Sequence, residues 1–417
     1  MLRALLLSVF MTSIVSATDW PQFRGIGGNG VATTADKLPT EIGPEQHVVW
    51  KVEMPPGHSS PVIVGSRIFL TAVRDQKLFT IALDRATGKT LWEREAPHDK
   101  LEEIHRVGSH AQSTPVADDN HIISFFGSSG LSCYDHGGKL LWQKRMGPFN
   151  NNFGAGSSPI LVDGRVILGQ DHDSDSFLMS LDVATGDVLW KVDRSEFPRN
   201  YCSPVLWDAD GRKQVVMAAT LRVVGYDFET GKELWTVRGI SRTVCMTPVV
   251  GDDGVLYLAG WAAGGDENEP IQLEPFDTAI IAVDKNDNTT IEESELTEGP
   301  VLQRFSQVDR NKDGHITKKE YEFFRGLLEQ GKNQILAIEP GAKGEATATN
   351  VRWRQAKLVP FCASPLFYRG LVFTVKDGGI CQALDAKTGK PTKQGRLEAS
   401  DDYYASPVAG DGKVYLV

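Results

Sequence analysis

The sequence predicts an all-β fold in which seven to eight four-stranded sheets surround a common axis, which is a β-propeller. Two recurring motifs support this prediction: one consists of a small residue, Pro and an apolar residue, and the other ends in Trp. Four-stranded units repeated about every 40 to 50 residues are typical of propellers. A single spacing much longer than the rest predicts a small helical insertion in the fifth repeat.

The first motif marks the first strand of each repeat, because Pro is tolerated at the start of a strand, where no ladder donor is needed. Its prolines are separated by 54, 44, 45, 44, 117 and 42 residues. The seven copies are Ser60-Pro61-Val62, Thr114-Pro115-Val116, Ser158-Pro159-Ile160, Ser203-Pro204-Val205, Thr247-Pro248-Val249, Ser364-Pro365-Leu366 and Ser406-Pro407-Val408.

The second motif closes a repeat with a tight turn and a Trp. Its fullest copy runs from Ala82 to Trp92 and contains Thr87-Gly88-Lys89, in which Gly88 supplies the positive φ of the turn. The Trp side chain, with about 200 Å² of surface, is predicted to pack between neighbouring sheets and join one repeat to the next. The other closing tryptophans are Trp142, Trp190, Trp235 and, after the insertion, Trp353.

The last repeat is incomplete, since the chain stops ten residues after Pro407. A strand around Val48-Val49-Trp50 would supply the outer strand of the last sheet and close the ring. The alternative, which the mid-strand ending favours, is a truncated sequence that lacks an eighth blade.

Charge and cysteine content exclude several classes of function. The 417 residues include 44 Lys and Arg against 54 Asp and Glu, a net charge of −10, and no segment supplies the basic patch of a nucleic-acid partner. The five cysteines, an odd number that leaves at least one unpaired, contain no Cys-x-x-Cys spacing for zinc, redox work or covalent haem. They are Cys133, Cys202, Cys245, Cys362 and Cys381.

Residues 1–17 have the features of a signal peptide. Arg3 provides a basic start, an apolar run from Ala4 to Val15 follows, and small residues precede the expected cleavage after Ala17. The run is too short to span a bilayer. We therefore expect a periplasmic or secreted protein with no transmembrane segment after cleavage.

The repeats resemble those of the PQQ-like (pyrroloquinoline-quinone-type) propellers, whose Ala-x-Asp-x-x-Thr-Gly-Lys-x-x-Trp docking motif is matched from Ala82 to Trp92. With Asp19-Trp20-Pro21-Gln22-Phe23-Arg24-Gly25 at the expected mature start, the chain is similar to exported bacterial propellers of this family that carry an EF-hand insertion. The resemblance implies one fold and two functional classes, the quinoprotein dehydrogenases and the non-catalytic BamB-like assembly propellers.

The insertion is predicted at residues 262–333, between propeller segments 18–261 and 334–417. Within it, residues 309–320 match the twelve-residue EF-hand loop that binds Ca²⁺ through hard oxygen ligands. Gly314 makes the sharp turn, and Ile316 is expected to pair with a partner loop. The predicted ligands are Asp309, Asn311, Asp313, the His315 carbonyl, Thr317 through a water, and Glu320.

A second, weaker loop has the same frame 25 residues earlier, at 284–295. Thr289 replaces the turn glycine there, and a β-branched residue at positive φ costs ~1–2 kcal/mol, about tenfold in affinity. The loop is either a weak calcium site or a structural relic without metal. Its candidate ligands are Asp284, Asn286, Asn288, Thr290 and Glu295.

Two further groups of residues each have two possible roles. Residues before the small-Pro strands would line the mouth of the central channel, either as a ligand funnel or as a polar rim: His58, Gln112, Asn200, Arg242, Cys245, Cys362 and Tyr404. The acidic run 171–175 is either a cation site or a solvated hairpin tip.

These observations favour a calcium-binding propeller that acts as a non-catalytic binding or scaffolding platform for an unidentified protein or glycan partner. The alternatives are a quinoprotein oxidoreductase and a carbohydrate-active enzyme that uses the channel. Quinoprotein dehydrogenases carry an adjacent Cys-Cys pair over the cofactor and are considerably longer, so Ca²⁺ is the expected cofactor and PQQ is not.

Overall fold

A computed structural model describes residues 19–34, 37–266, 269–399 and 401–417. The predicted signal peptide lies outside the described residues. Strands predominate in the described chain, and the propeller prediction is confirmed by sheets that repeat one antiparallel plan. No helix in this part of the chain is both long and apolar enough to cross a bilayer.

The first four repeats each form a sheet in which strands consecutive in sequence are neighbours. Sheet one contains β1 (Val62–Val64), β2 (Arg67–Arg74), β3 (Lys77–Asp84) and β4 (Thr90–Ala96), and sheet two contains β5 (Val116–Ala117), β6 (Ile122–Phe126), β7 (Gly130–Tyr134) and β8 (Leu140–Lys144). Sheet three contains β9 (Ile160–Val162), β10 (Arg165–Gln170), β11 (Phe177–Asp182) and β12 (Val188–Asp193), and sheet four contains β13 (Val205–Ala209), β14 (Arg212–Ala219), β15 (Arg222–Asp227) and β16 (Glu233–Arg238).

The fifth sheet is interrupted between its second and third strands. It begins with β17 (Val249–Val250) and β18 (Leu256–Gly260), after which come α1 (Phe276–Val283), β19 (Ile291–Glu292), α2 (Phe305–Val308), β20 (His315–Ile316) and α3 (Lys318–Gln330). It resumes with β21 (Gln334–Ile338) and β23 (Val351–Gln355), while β22 (Gly344–Glu345), which lies between them in sequence, joins sheet four. Gly260 pairs with Gln334, so the inserted segment leaves and re-enters the sheet at one point.

The remaining chain forms sheets six and seven. Sheet six contains β24 (Leu366–Tyr368), β25 (Leu371–Lys376), β26 (Ile380–Asp385) and β27 (Pro391–Arg396), and sheet seven pairs β28 (Val408–Gly410) with β29 (Lys413–Tyr415). The predicted strand around Val48-Val49-Trp50 is wrong, because these residues form no strand. Val31 instead bridges Ala409 of sheet seven.

A chain of hydrogen bonds near the axis explains why the residue before each motif proline is Ser or Thr. The side-chain hydroxyl of this residue accepts a hydrogen bond from the backbone N–H of the equivalent residue in the preceding repeat. The bonds run from Ser60 to Thr114 (2.9 Å), then to Ser158 (3.0 Å), Ser203 (2.9 Å), Thr247 (3.2 Å), Ser364 (3.0 Å) and Ser406 (3.0 Å).

The closing tryptophans dock on the next repeat, as predicted for Trp92, Trp142, Trp190 and Trp353. Each indole lies on the positive-φ glycine of the next turn, and its N–H donates to a backbone carbonyl there. The acceptors are those of His136 (3.0 Å), Val183 (2.8 Å), Phe228 (3.0 Å) and Ala386 (2.9 Å), in the same order. Trp50 makes the same contact with the Arg85 carbonyl (2.9 Å).

Trp235 does not dock on a glycine turn of the next repeat, although it lies, as predicted, in an apolar core shared by sheets four and five. Its indole N–H donates to Gln214 Oε1 of its own sheet at 2.6 Å. The following repeat has no Thr-Gly-Lys turn to receive it, because residues 339–350 form a longer connection there. That connection contributes β22, which pairs in parallel with β16 and extends sheet four.

We expect Gly186→Ala to lower the free energy of unfolding more than Gly164→Ala. Their φ angles are +75° and +72°, so each Ala costs ~1–2 kcal/mol of backbone strain. Only the Cβ at 186 would contact a side chain, lying 2.7 Å from the Trp142 ring, and such overpacking costs a further ~1–3 kcal/mol. Urea denaturation checks this difference, and equal losses in the two variants would contradict the docking role.

Candidate functional site

The two candidate calcium loops face each other across a short antiparallel pair of strands. Ile291 of β19 pairs with Ile316 of β20, which is the pairing expected for Ile316. Both isoleucines are buried in a small apolar core of the insertion. The core also contains Phe276, Phe305, Val308, Tyr321, Phe324 and Leu328.

The loop at residues 309–320, called the strong loop below, is closed by hydrogen bonds between its acidic residues and its own backbone. Asp309 Oδ2 accepts from the Gly314 N–H (3.0 Å), and Gly314 has a φ of +88°. Glu320 accepts from the N–H groups of Arg310 (3.2 Å) and Thr317 (3.0 Å). The first and last candidate ligands are therefore both fixed in place by the loop backbone.

Asp313 and Asn311 complete this frame. Asp313 Oδ1 accepts from the His315 N–H (2.9 Å), and Asn311 Oδ1 accepts from the Asp313 N–H (3.0 Å). The other Asp309 oxygen, Oδ1, is buried without a hydrogen-bond partner. A buried, unpaired carboxylate oxygen is costly, and a bound cation would remove that cost.

The weak loop, at residues 284–295, has the same side-chain to backbone hydrogen bonds at equivalent positions. Asp284 Oδ2 accepts from the Thr289 N–H (3.0 Å), and Glu295 accepts from the N–H groups of Lys285 (2.8 Å) and Glu292 (2.9 Å). Thr289 has a φ of +65°, the strained conformation expected from its position. Asn288 Oδ1 accepts from both the N–H and the hydroxyl of Thr290, and Asn286 accepts from the Asn288 N–H (3.1 Å).

The donor set of the strong loop fits calcium, which binds carboxylate, amide and carbonyl oxygens. Across the described ranges, no group of three or more His, Cys, Asp or Glu side chains is arranged to hold a metal by itself. A site of the calcium-loop type differs from such a group because an Asn side chain and a backbone carbonyl supply part of its ligands.

Arg310, at the second position of the strong loop, connects the loop to the propeller. Its guanidinium donates to the carbonyls of Asp173 (3.2 Å) and Ser195 (3.1 Å) and stacks on Phe323. Asn150 donates to the Arg310 carbonyl at 3.3 Å. The residue beside the first candidate ligand therefore bonds directly to the loops that flank the strands of sheet three.

The acidic run 171–175 departs from both expectations, because only Asp175 among its three carboxylates is exposed and the other two are ion-paired. Asp171, His172 and Asp173 are buried. Asp171 forms a two-point ion pair with Arg194 (2.8 Å for both bonds), and Asp173 forms one with Arg199 (2.7 and 2.6 Å). The arginines compensate both carboxylates, so neither is free to bind a cation.

The Asp173–Arg199 pair extends the contact with the insertion. Arg199 Nη2 also donates to the Ser306 carbonyl (3.1 Å) in α2. Sequence analysis missed Arg194, Arg199 and Arg310, since their partners are distant in sequence. No sequence signal distinguished Arg310, because the same loop also contains Lys312, Lys318 and Lys319.

The residues predicted to line the mouth of the channel bond to separate parts of the protein instead of to one another. Asn200 is buried, donating to Thr220 (2.9 Å) and accepting from the Val244 N–H (2.9 Å). Gln112 donates to the Phe153 carbonyl (2.8 Å).

The remaining channel candidates lie nearer the surface or against the insertion. Arg242 lies against the insertion near Gln307 and Phe324, and burial lowers its pKa to about 10. His58 and Tyr404 are exposed, whereas the thiols of Cys245 and Cys362 contact each other.

A family model described as outer membrane protein assembly factor BamB, PQQ_2, matches residues 77–260 and 278–416, which is most of the chain. The chain belongs to the PQQ-like propeller family. No curated protein matches the sequence.

Three solved structures illustrate how distant the similarity is. BamB from Moraxella catarrhalis shares 14% identity at a TM-score of 0.48, over 84% of this chain and 76% of its own. A quinohemoprotein alcohol dehydrogenase from Comamonas testosteroni shares 12% at 0.47, over 96% and 77%. A europium-containing methanol dehydrogenase shares 11% at 0.46, over 94% and 87%.

We expect acid to destabilise this PQQ-like propeller more steeply than its His172→Phe variant. Burial lowers the pKa of His172 from 6.5 to about 3, so between these values the unfolded chain binds a proton that the folded chain does not. The stability that neutral His172 contributes is complete above pH 6.5. It is lost as the pH falls, at about 1.4 kcal/mol per pH unit.

Phe keeps the stack on Phe149, whose ring centroid lies 4.2 Å from that of His172, and cannot titrate. Urea denaturation at about pH 7 and about pH 5 measures both slopes. Parallel slopes for the two proteins would contradict the burial of a neutral His172.

Proposed function

We propose that this PQQ-like propeller is a calcium-binding, non-catalytic platform for a protein partner and acts outside the cytoplasm. The observation that carries the proposal is the strong loop, in which Asp309 has an unpaired buried oxygen and Arg310 bonds to the propeller. The description of the matched family as an assembly factor supports a protein rather than a glycan partner.

Calcium in the strong loop would hold the insertion against the propeller. Asp309, Asn311, Asp313, the His315 carbonyl, Thr317 and Glu320 would hold the ion, whose positive charge would offset that of the three carboxylates. Asp309 directly precedes Arg310, so fixing Asp309 would also fix the guanidinium between the Asp173 and Ser195 carbonyls. Extracellular calcium modules need an affinity of only ~10⁻⁴–10⁻³ M, which suits a stabilising role better than signalling.

The buried ion pairs argue against the carbohydrate-active alternative. Glycosidases use a pair of carboxyl groups, one of them able to donate a proton and the other open to substrate or water. Asp171 and Asp173 are instead enclosed and bonded to Arg194 and Arg199. Their role is structural, and they support a rigid platform.

We expect Asp309→Ala to weaken calcium binding at least tenfold, a loss of about 1.4 kcal/mol or more. The substitution removes a ligand at the first loop position, while Asp284→Ala makes the same change in the weak loop. Isothermal titration of calcium into metal-free protein should show the tighter site in wild type and in Asp284→Ala only. Unchanged binding in a folded Asp309→Ala variant would remove the strong loop from the proposal.

Thr289→Gly tests the opposite change, a gain in calcium affinity at the weak loop. It relieves the strain of a β-branched residue at a φ of +65°, so the weak loop should gain about tenfold in calcium affinity. A structural relic without metal would show no gain in the same titration, and that result would restrict the proposal to one ion.

We expect no turnover when the protein is reconstituted with PQQ and calcium and assayed with alcohols or sugars and an electron-accepting dye. A quinoprotein oxidoreductase would reduce the dye in proportion to substrate. PQQ-dependent turnover would contradict the non-catalytic proposal but would leave the calcium titration unaffected, so the two parts of the proposal fail separately.

A further inference from the structure

Two cysteines from neighbouring repeats meet near the axis. Cys245 and Cys362 each lie three residues before the motif proline, ahead of β17 and β24. Two residues further along each segment, the Thr247 N–H donates to Ser364 Oγ at 3.0 Å, so these inner segments are in direct contact. The two thiols are close enough for each to shift the pKa of the other, and both residues are partly exposed.

The two thiols are not equivalent. The adjacent Cys245 thiol lowers the pKa of Cys362, against the opposing effects of burial and Asp377. The same proximity, together with burial, raises the pKa of Cys245. Since the thiolate is the reactive form, Cys362 is the nucleophile and Cys245 the resolving thiol.

The other cysteines have different surroundings. Cys133 and Cys202 are buried, and burial raises the pKa of each to about 12. Cys381 is partly exposed, and burial raises its pKa too. The contact between two partly exposed thiols therefore distinguishes Cys245 and Cys362.

We propose that Cys245 and Cys362 form a thiol–disulfide exchange site whose substrate is a low-molecular-weight disulfide. The Cys362 thiolate attacks one sulfur of the substrate, its S–S bond breaks, and one small thiol leaves with a proton. The Cys245 thiolate then attacks the Cys362 sulfur, forms the Cys245–Cys362 bond and releases the second small thiol. Two protein thiols are oxidised and one small disulfide is reduced to two thiols.

The product bond would join sheets five and six at their inner ends. The loop that it closes contains the rest of sheet five and the whole insertion, since both lie between residues 245 and 362. A long closed loop restricts the unfolded chain strongly, so oxidation should raise the melting temperature. This inference does not depend on the calcium proposal.

The test uses reduced full-length protein and oxidised glutathione as the small disulfide. After unreacted thiols are alkylated, intact mass should show the loss of two hydrogens, and peptide mapping should find Cys245 linked to Cys362. Cys362→Ser should abolish the link and Cys381→Ser, the matched control, should retain it. Cys245→Ser should instead accumulate one glutathione on Cys362.

Thermal melting provides a readout that does not rely on the variants. Oxidised wild type should melt several degrees higher than reduced wild type, and adding a reductant should reverse the change. The proposal is overturned if wild type gains only glutathione adducts, if Cys202 takes part in the link, or if all thiols remain alkylatable after exposure to glutathione disulfide.

Discussion

The hydrogen bond from a backbone N–H of one repeat to the Ser or Thr hydroxyl of the next is the constraint on which the rest of this propeller depends. The innermost strand of every sheet is an edge strand, whose unpaired N–H and C=O groups would otherwise be open to solvent or to another chain. The hydroxyl pairs a further N–H group, two residues before each of these strands, and sets the spacing between inner segments. That spacing also brings Cys245 and Cys362 together, because the bond from Thr247 to Ser364 lies two residues away from both.

At the outer edge, the contact between an indole and a glycine turn has the equivalent role, and its loss at Trp235 coincides with the insertion. Fifth-repeat residues 339–350 have no Thr-Gly-Lys turn, so the Trp235 indole N–H bonds within its own sheet, where the absence of a side chain at Gly225 makes room for the ring. Trp207 replaces it across the interface, since its indole N–H donates to the Gly254 carbonyl at 2.9 Å. The repeat that carries the insertion is thus joined to its predecessor by a different tryptophan and an added strand, β22.

The repeat motifs predicted the strand order, the docking of Trp92 and the pairing of Ile316 because these contacts depend on local patterns that recur along the chain. The burial of Asp171 and Asp173 could not be predicted in the same way. An acidic run is ordinarily solvated, and the arginines that pair with it come from other segments with no motif of their own. Asn200 was expected at the channel mouth, yet Tyr201 is the residue three before the proline, and the Asn200 side chain instead joins the buried network.

Buried ion pairs add little net stability compared with apolar packing, because the desolvation of both charges opposes their attraction. Their geometric demands are strict, however, and here they are used where the insertion meets the propeller. Arg199 bonds to both Asp173 and the Ser306 carbonyl, and Arg310 bonds back to the Asp173 carbonyl. Asp173 is therefore held from both sides, so that a shift of the strong loop would disturb a buried charge.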